Sequence, residues 1–444
     1  MIGGLMKTTS RFALAAAAGL FVGGIAFTPA NAADLGGDCC ADLEERVAEL
    51  EATTARKGNR KVSLEISGQV NRALLIWDDG VDSDAYVVDN DGNSTRFRLK
   101  GSAKMKPGWK AGFLIEIEVQ DDASNDVDQN VDDGLGDTNI LLTRHANWYI
   151  ESEKFGRVTV GQGSPAGDDI TLINLGGSLS DAELYYNTEF KVRSGVGNLA
   201  DFGTADLEWK DLASALDSSR ADVIRYDSPA IYGFIVSTSW GEDDVFEAAV
   251  RFQKEFNSVR IAAGIAYVWD GDDNTFGAAI AATNKSDSEV VKGSISVMHI
   301  PTGVYLSLAA GERELSDITS NATFDANSNE DASFYYAQLG ITKKFNSYGA
   351  TTIYAEYGRY EDYATGIVGD FNEGGASDNT ILSSEVDRFG FGVVQAFDSA
   401  ALELYASAHY YQAELDVNAC CENSDNVVGP EDWMGVVTGA RIKF

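Results

Sequence analysis

The sequence predicts an all-β chain: a transmembrane antiparallel β-barrel of about 16 strands, with a long connection folded inward as a constriction loop and a short N-terminal helix ahead of it. Three observations carry that prediction. From Lys61 onward apolar residues recur at every second position, the period of strands with one face in an apolar medium and one in a polar medium. Nothing after Ala33 reaches the roughly 18 consecutive apolar residues of a membrane helix, so the spanning structure left is a closed barrel. Short turns alternate with long acidic connections, as at the two rims of a membrane barrel. The composition is that of a folded, turn-rich chain: 44% of residues are hydrophobic and 10% aromatic, with 45 Gly against 6 Pro.

Residues 1–33 stand apart from the fold. Lys7 and Arg11 give a positive start, FALAAAAGLFVGGIAF is an apolar run, and Ala30-Asn31-Ala32 has the small-x-small pattern of a cleavage site, together a secretory signal peptide. Residues 34–60 form a short helical segment and linker. In DLEERVAELEATTAR, Leu43, Val47 and Leu50 fall on the seam of a coiled coil, an oligomerisation helix by pattern. Two heptads are too few to hold alone, so a lone amphipathic spacer fits equally well. The barrel domain then covers 61–444.

Strand by strand the alternation is legible. In SVRIAAGIAYVWD, Val259, Ile261, Ala263, Ile265, Tyr267 and Trp269 share one face, and Arg260, Ala262, Gly264 and Ala266 the other. Such runs place strands at 62–77, 94–106, 109–121, 139–152, 156–163, 220–227, 231–240, 245–256, 258–269, 288–299, 303–312, 333–345, 349–361, 384–397, 401–414 and 432–444. KPG, EKFG, DSPAIYG, FNS, PTG, NSYG and FDSA join them at one rim. DDGVDSDAYVVDNDGN, DDASNDVDQNVDDGLGD and GERELSDITSNATFDANSNED are long and acidic at the other, where EDD alone is brief. Aromatics near strand ends, Trp77, Trp148, Tyr226, Trp240 and Trp433 among them, suggest interfacial girdles.

A basic stripe lies on the second strand. In STRFRLKGSAKMKP, Phe97, Leu99, Gly101, Ala103 and Met105 take one parity, and Arg96, Arg98, Lys100, Lys104 and Lys106 the other. A charge facing lipid at midplane costs about 2–4 kcal/mol, so the cations face a water-filled lumen. Arg72 and Arg144 fall on the lipid-facing parity; either a bulge turns them inward or subunits bury them. The connection 164–219 is far longer than a surface turn and carries SPAGDD, Asp181, Glu183 and Asp217. Folded inward, it sets carboxylates across from the basic wall and creates a transverse field; left outside, it is an exposed flap.

At these residues the sequence resembles the general-diffusion porins of Gram-negative outer membranes, the alphaproteobacterial branch in particular. RYDSP with GF (Arg225 to Pro229, Gly233-Phe234) and the terminal GARIKF carry the likeness, with strand count, loop order and signal peptide. The resemblance implies a homotrimer in the outer membrane with the long loop folded inward, passing small hydrophilic solutes and ions. It implies Arg96, Arg98, Lys100 and Arg225 as pore-wall cations, Asp168 and Asp169 as loop carboxylates, and Phe444 as the residue read by the outer-membrane assembly machinery. SPAGDD stands where the enterobacterial pattern is PEFGGD, which leaves the choice of loop carboxylate open.

The formal charge of −35 resides mostly in the long loops. Such loops face lipopolysaccharide, where divalent cations bridge carboxylates to lipid phosphates, and an acidic vestibule favours cations weakly. For so acidic a chain a nucleic-acid partner is not expected. DNDGN and DVDQNVDDG lack the closing Glu of a calcium loop and read as solvated acids, so no metal is expected. Cys39-Cys40 and Cys420-Cys421 lie at opposite rims and cannot meet within one chain; each pair is bridged vicinally, bridged between subunits or reduced. His145, His299 and His409 are scattered, with no HExxH, GxSxG or phosphate loop, so neither an enzyme nor a cofactor is expected. Two other readings stand beside passive diffusion. A sugar- or anion-selective channel would use Tyr305, Tyr336, Tyr354, Tyr405 and Tyr411, and a structural protein would tie the membrane to the cell wall through the N-terminal helix.

Overall fold

The structure, a computed structural model, describes residues 62–119, 121–132, 141–193, 207–242, 244–271, 287–316, 331–369, 379–417 and 427–444. The signal peptide, the helix with Leu43, Val47 and Leu50, and all four cysteines lie outside the described residues.

Sixteen strands build one closed antiparallel wall: β1 (Ser63–Asp78), β2 (Arg96–Lys106), β3 (Trp109–Val119), β4 (Leu141–Ser152), β5 (Gly156–Gly163), β6 (Ala221–Asp227), β7 (Phe234–Gly241), β8 (Phe246–Phe256), β9 (Val259–Asp270), β10 (Asp287–His299), β11 (Val304–Ser316), β12 (Asp331–Lys343), β13 (Thr351–Glu361), β14 (Asn379–Phe397), β15 (Leu402–Val417) and β16 (Trp433–Lys443). Each pairs with its chain neighbours, and β1 closes on β16 from Gln69↔Lys443 to Asp78↔Met434. Beyond that register the amides of Gly68 and Phe444 donate to each other's carbonyls at 2.9 and 3.0 Å, so the terminal residue is the last rung of the seam. Closure leaves no edge strand with unpaired backbone groups in hydrocarbon.

The alternation sorts side chains as the sequence predicts. Val291, Ile295, Leu306, Leu308 and Leu339 are exposed on the outer wall, while Val290, Lys292, Ser296, Ser307 and Gln338 are buried inside. Above the outer apolar band, Tyr357, Phe389 and Tyr410 lie side by side across β13, β14 and β15, an aromatic row where a bilayer meets water. The periplasmic-type turns are tight. Asn257 between β8 and β9 takes a positive φ of 51°, which asparagine tolerates because its side chain bonds locally.

Two expectations need correction. DDGVDSDAYVVDNDGN is not a free loop: Ser83–Asp89 is a further strand on the upper half of β1, from Arg72↔Asp89 to Asp78↔Ser83, while β2 takes the lower half. Tyr86 and Val88 are buried toward the interior and Val87 is 66% exposed, so the acidic flanks hid an ordinary alternation. Trp77 and Trp433 are not girdle residues. Both are buried inside the barrel, with ring centroids 5.1 and 5.5 Å from Phe190 of the connection between β5 and β6.

Arg144 resolves through a bulge. Pairing of β3 with β4 jumps from Glu116↔His145 to Ile117↔Thr143, so Arg144 has no cross-strand partner and its side chain turns inward. Arg72 stays on the outer face. There its guanidinium meets the Asp121 carboxylate at 2.9 Å and the Asp121 carbonyl at 2.7 Å.

Candidate constriction site

The connection after β5 folds into the barrel. Arg225 anchors its root by donating to the carbonyls of Ser164 (3.1 Å) and Pro165 (2.9 Å). From there the chain runs along the inner wall. Ser239 Oγ accepts the Ala166 amide at 2.8 Å, Ser296 Oγ the Leu175 amide at 3.0 Å, and Gln338 Oε1 bonds Asn174 at 2.7 Å and Ser178 at 2.8 Å. Small wall-facing residues let it lie close: a Cβ on Gly176 would stand 2.0 Å from the Tyr305 ring. These bonds satisfy loop backbone that would otherwise be buried without partners.

Farther along, a buried ion network pins the loop. Arg388 on β14 meets Glu356 on β13 at 2.7 Å and donates to Ser180 Oγ and the Glu183 carbonyl, both at 2.8 Å. His409 on β15 sits 3.2 Å from the same carboxylate. Beyond the pin the loop packs apolar residues inside the barrel: Phe190, Leu207, Trp209, Leu212 and Leu216 are all buried against a wall that includes Trp77, Tyr411 and Trp433. A barrel lumen is ordinarily polar, yet one side of this one holds a hydrophobic core.

That core settles the position of the five lumen tyrosines. Tyr305, Tyr336, Tyr354, Tyr405 and Tyr411 have the inward parity but are 0–5% exposed beneath the loop. Tyr305 and Tyr336 bond Gln338 and Glu356, each at 2.8 Å, and Tyr405 bonds Asn71 at 2.7 Å. They present no stacking face to a passing sugar.

The open lumen lies on the other side, lined by β2 and β4 together with β7 to β9. Arg98 Nε donates to Glu116 at 2.5 Å, Arg96 meets Glu116 at 3.4 Å, and the bulged Arg144 reaches Glu116 at 3.2 Å and Glu118 at 2.7 Å. Three wall guanidiniums thus share two carboxylates on β3 that the sequence reading left out. Lys100 is exposed lower on the same wall. Arg225 lies apart from this group, held by Asp227 at 2.8 Å and by the loop root.

Between loop and wall is a cavity of about 950 Å³. Arg96, Arg144, Arg220 and Arg251 line it, facing Asp91, Asp168, Asp169, Asp181, Glu183 and Asp217. Asp168 is buried, whereas Asp169, in a left-handed backbone conformation, projects into the lumen. Arg220 forms no ion pair within 4 Å among the described residues, and its charge acts on Asp169 across the cavity. Burial pushes the Asp91 and Asp181 carboxyls up to about 7 and that of Asp217 up to about 8. In the sequence Asp91 reads as a solvated acid of DNDGN, and Arg220 and Arg251 carry no site role; all three line the cavity. Asp91 sits in a connection that the backbone bends inward, and both arginines follow the loop in the chain, so its path decides what they face.

A family model described as Gram-negative porin matches residues 13–416. The anion-selective porin from Comamonas acidovorans superposes with a TM-score of 0.55 at 16% identity, covering 86% of this chain and 100% of that one. OmpT of Vibrio cholerae, folded in vitro, gives 0.52 at 14% identity over 88% and 99% of the two chains. OprB of Pseudomonas putida, in its high-pH structure, gives 0.51 at 11% over 91% and 97%. These likenesses are of fold. No curated protein matches the sequence.

Proposed function

The chain belongs to the Gram-negative porin family and is a passive outer-membrane diffusion channel for small hydrophilic solutes, and we propose that the cavity between the β5–β6 loop and the β2–β4 wall is its selectivity-setting constriction. The observation that carries this is the inward loop, whose carboxylates stand across an open lumen from wall arginines. Solutes move down their own gradients, and opposed charges sort them by size, charge and dipole. Arg96, Arg98 and Lys100 form the basic wall with Arg144, while Arg225 acts by holding the loop root, just past which Asp168 and Asp169 lie. Glu116 and Glu118 already offset most of the wall's positive charge, so the unbalanced loop acids favour cations over anions.

The biological unit is a homotrimer, with the outer wall meeting lipid and lipopolysaccharide. Divalent cations bridge lipid phosphates to the acidic external loops. Phe444 is the residue the assembly machinery reads, and the N-terminal helix supports oligomerisation or touches the cell wall. Its chemistry is that of a channel rather than an enzyme.

Planar-bilayer recordings test the constriction. Asp169→Asn is expected to move the reversal potential in a salt gradient toward anions, and Arg98→Ala toward cations. Wild-type selectivity and conductance in both variants rejects the assignment.

A further inference from the structure

Asp168 and Asp169 open the constriction loop and Asp217 closes it, 48 positions on by the bond from the Asp169 amide to the Asp217 carboxylate. One carboxylate oxygen from each of the three lies within 4.8 Å of the others. Oxygen ligands at calcium distances of 2.3–2.6 Å stand at most about 5 Å apart across the ion, so a single cation can reach all three.

A second observation separates this group from an ordinary acidic surface. Asp168 is only 4% exposed, and its Oδ2 has no hydrogen-bond partner among the described residues. Arg251 does not serve it: its guanidinium donates instead to the Asp168 carbonyl, at 2.6 Å. Leaving such an oxygen bare costs about 1–3 kcal/mol or more, so it calls for a donor or a cation from the cavity that Asp168 lines. Asp169 projects into the lumen and gives an ion its entry path. Asp217 takes the Asp169 N–H at 3.0 Å and stands 3.4 Å from Lys292 Nζ, and each of its oxygens keeps a further lone pair.

The neighbourhood bounds the affinity. Glu247, bonded to the Gly167 amide, makes a fourth carboxylate, and Lys292, Arg220 and Arg251 stand against the four. Those three cations compete with a bound ion for the carboxylates, which fits a weak site of the extracellular kind, with dissociation constants on the order of 10⁻⁴–10⁻³ M.

We propose that Asp168, Asp169 and Asp217 bind a divalent cation, calcium by size and ligand type, which fastens the two ends of the constriction loop together and withdraws negative charge from the pore. The effect on selectivity rests on this cavity being the constriction; the binding itself does not.

The test uses the full-length mature protein folded in detergent and then in planar bilayers, with calcium chloride as the probe. Millimolar calcium is expected to raise the midpoint of thermal unfolding and to abolish the channel's cation preference. In Asp168→Asn, and separately in Asp168→Asn with Asp217→Asn, both responses are lost, while heat-resistant migration on gels reports that the barrel has formed. If the folded variants respond to calcium as the wild type does, the ion acts on the external loops and the proposal is overturned. A stability response lost in the variants, with no calcium effect on selectivity in any protein, upholds the cation site and removes the constriction assignment instead.

Discussion

At the scale of single residues, the lumen is set by which charges have partners. Asp91 faces Asp89, Glu118, Arg96 and Arg144, and Asp181 faces Glu183, Tyr185 and Arg388; burial outweighs the cations and holds both carboxyls near 7. Raising pH from 6 to 8 therefore adds up to two negative charges from these acids to the cavity, and part of a third from Asp217. Cation preference is expected to grow over that interval, as read from reversal potentials in a potassium chloride gradient. Asp91→Asn with Asp181→Asn should flatten the profile, and an unchanged slope removes these two acids from the pore. The sign for stability is opposite. Because the folded state holds these protons more tightly than the unfolded chain, their contribution is full below about pH 4 and lost as pH rises through 7. The basic stripe was legible from its period of two, and so was its wet side. The carboxylates it answers to were not: Glu116 and Glu118 lie on the next strand, and Arg144 reaches them through a one-residue bulge with no local sequence signal.

At the scale of elements, the constriction loop behaves as a folded unit docked on the wall rather than as a tethered flap. Its length and acids left an inward loop and an exposed flap both open; its apolar residues, Phe190, Trp209 and Leu212 among them, find their partners on β1, β15 and β16. No local pattern specifies contacts so distant in sequence. Arg388 and Glu356 are both under 7% exposed, and breaking one side of a buried pair costs about 3–5 kcal/mol. Arg388→Met should lower the unfolding midpoint and give larger, noisier conductance steps as the loop loosens. Pairing it with Glu356→Gln should restore part of the stability, since no buried charge is then left alone. A single variant with wild-type thermal stability and steady conductance excludes the pin.

At the scale of the whole molecule, the parity of the strands decides which surface meets hydrocarbon. Spin labels at Phe97, Ile265 and Leu339 are expected to be reached by oxygen dissolved in lipid, and labels at Arg98 and Lys100 by a water-soluble relaxant; reversed accessibilities would overturn the orientation of the entire wall. The sequence by itself determined the closed barrel, its sixteen strands and their inner and outer faces, because period-two alternation is a local property written within about ten residues at a time. It also marked out the long connection and the basic stripe, while leaving open whether the connection lies inside or outside the barrel. Only the tertiary structure decided which acids meet which arginines, that one side of the lumen is filled by a hydrophobic core, and that the lumen tyrosines are sealed beneath it. Those outcomes depend on where a connection of more than fifty residues comes to rest across the bore, which is fixed by packing and charge pairing between strands far apart in the chain.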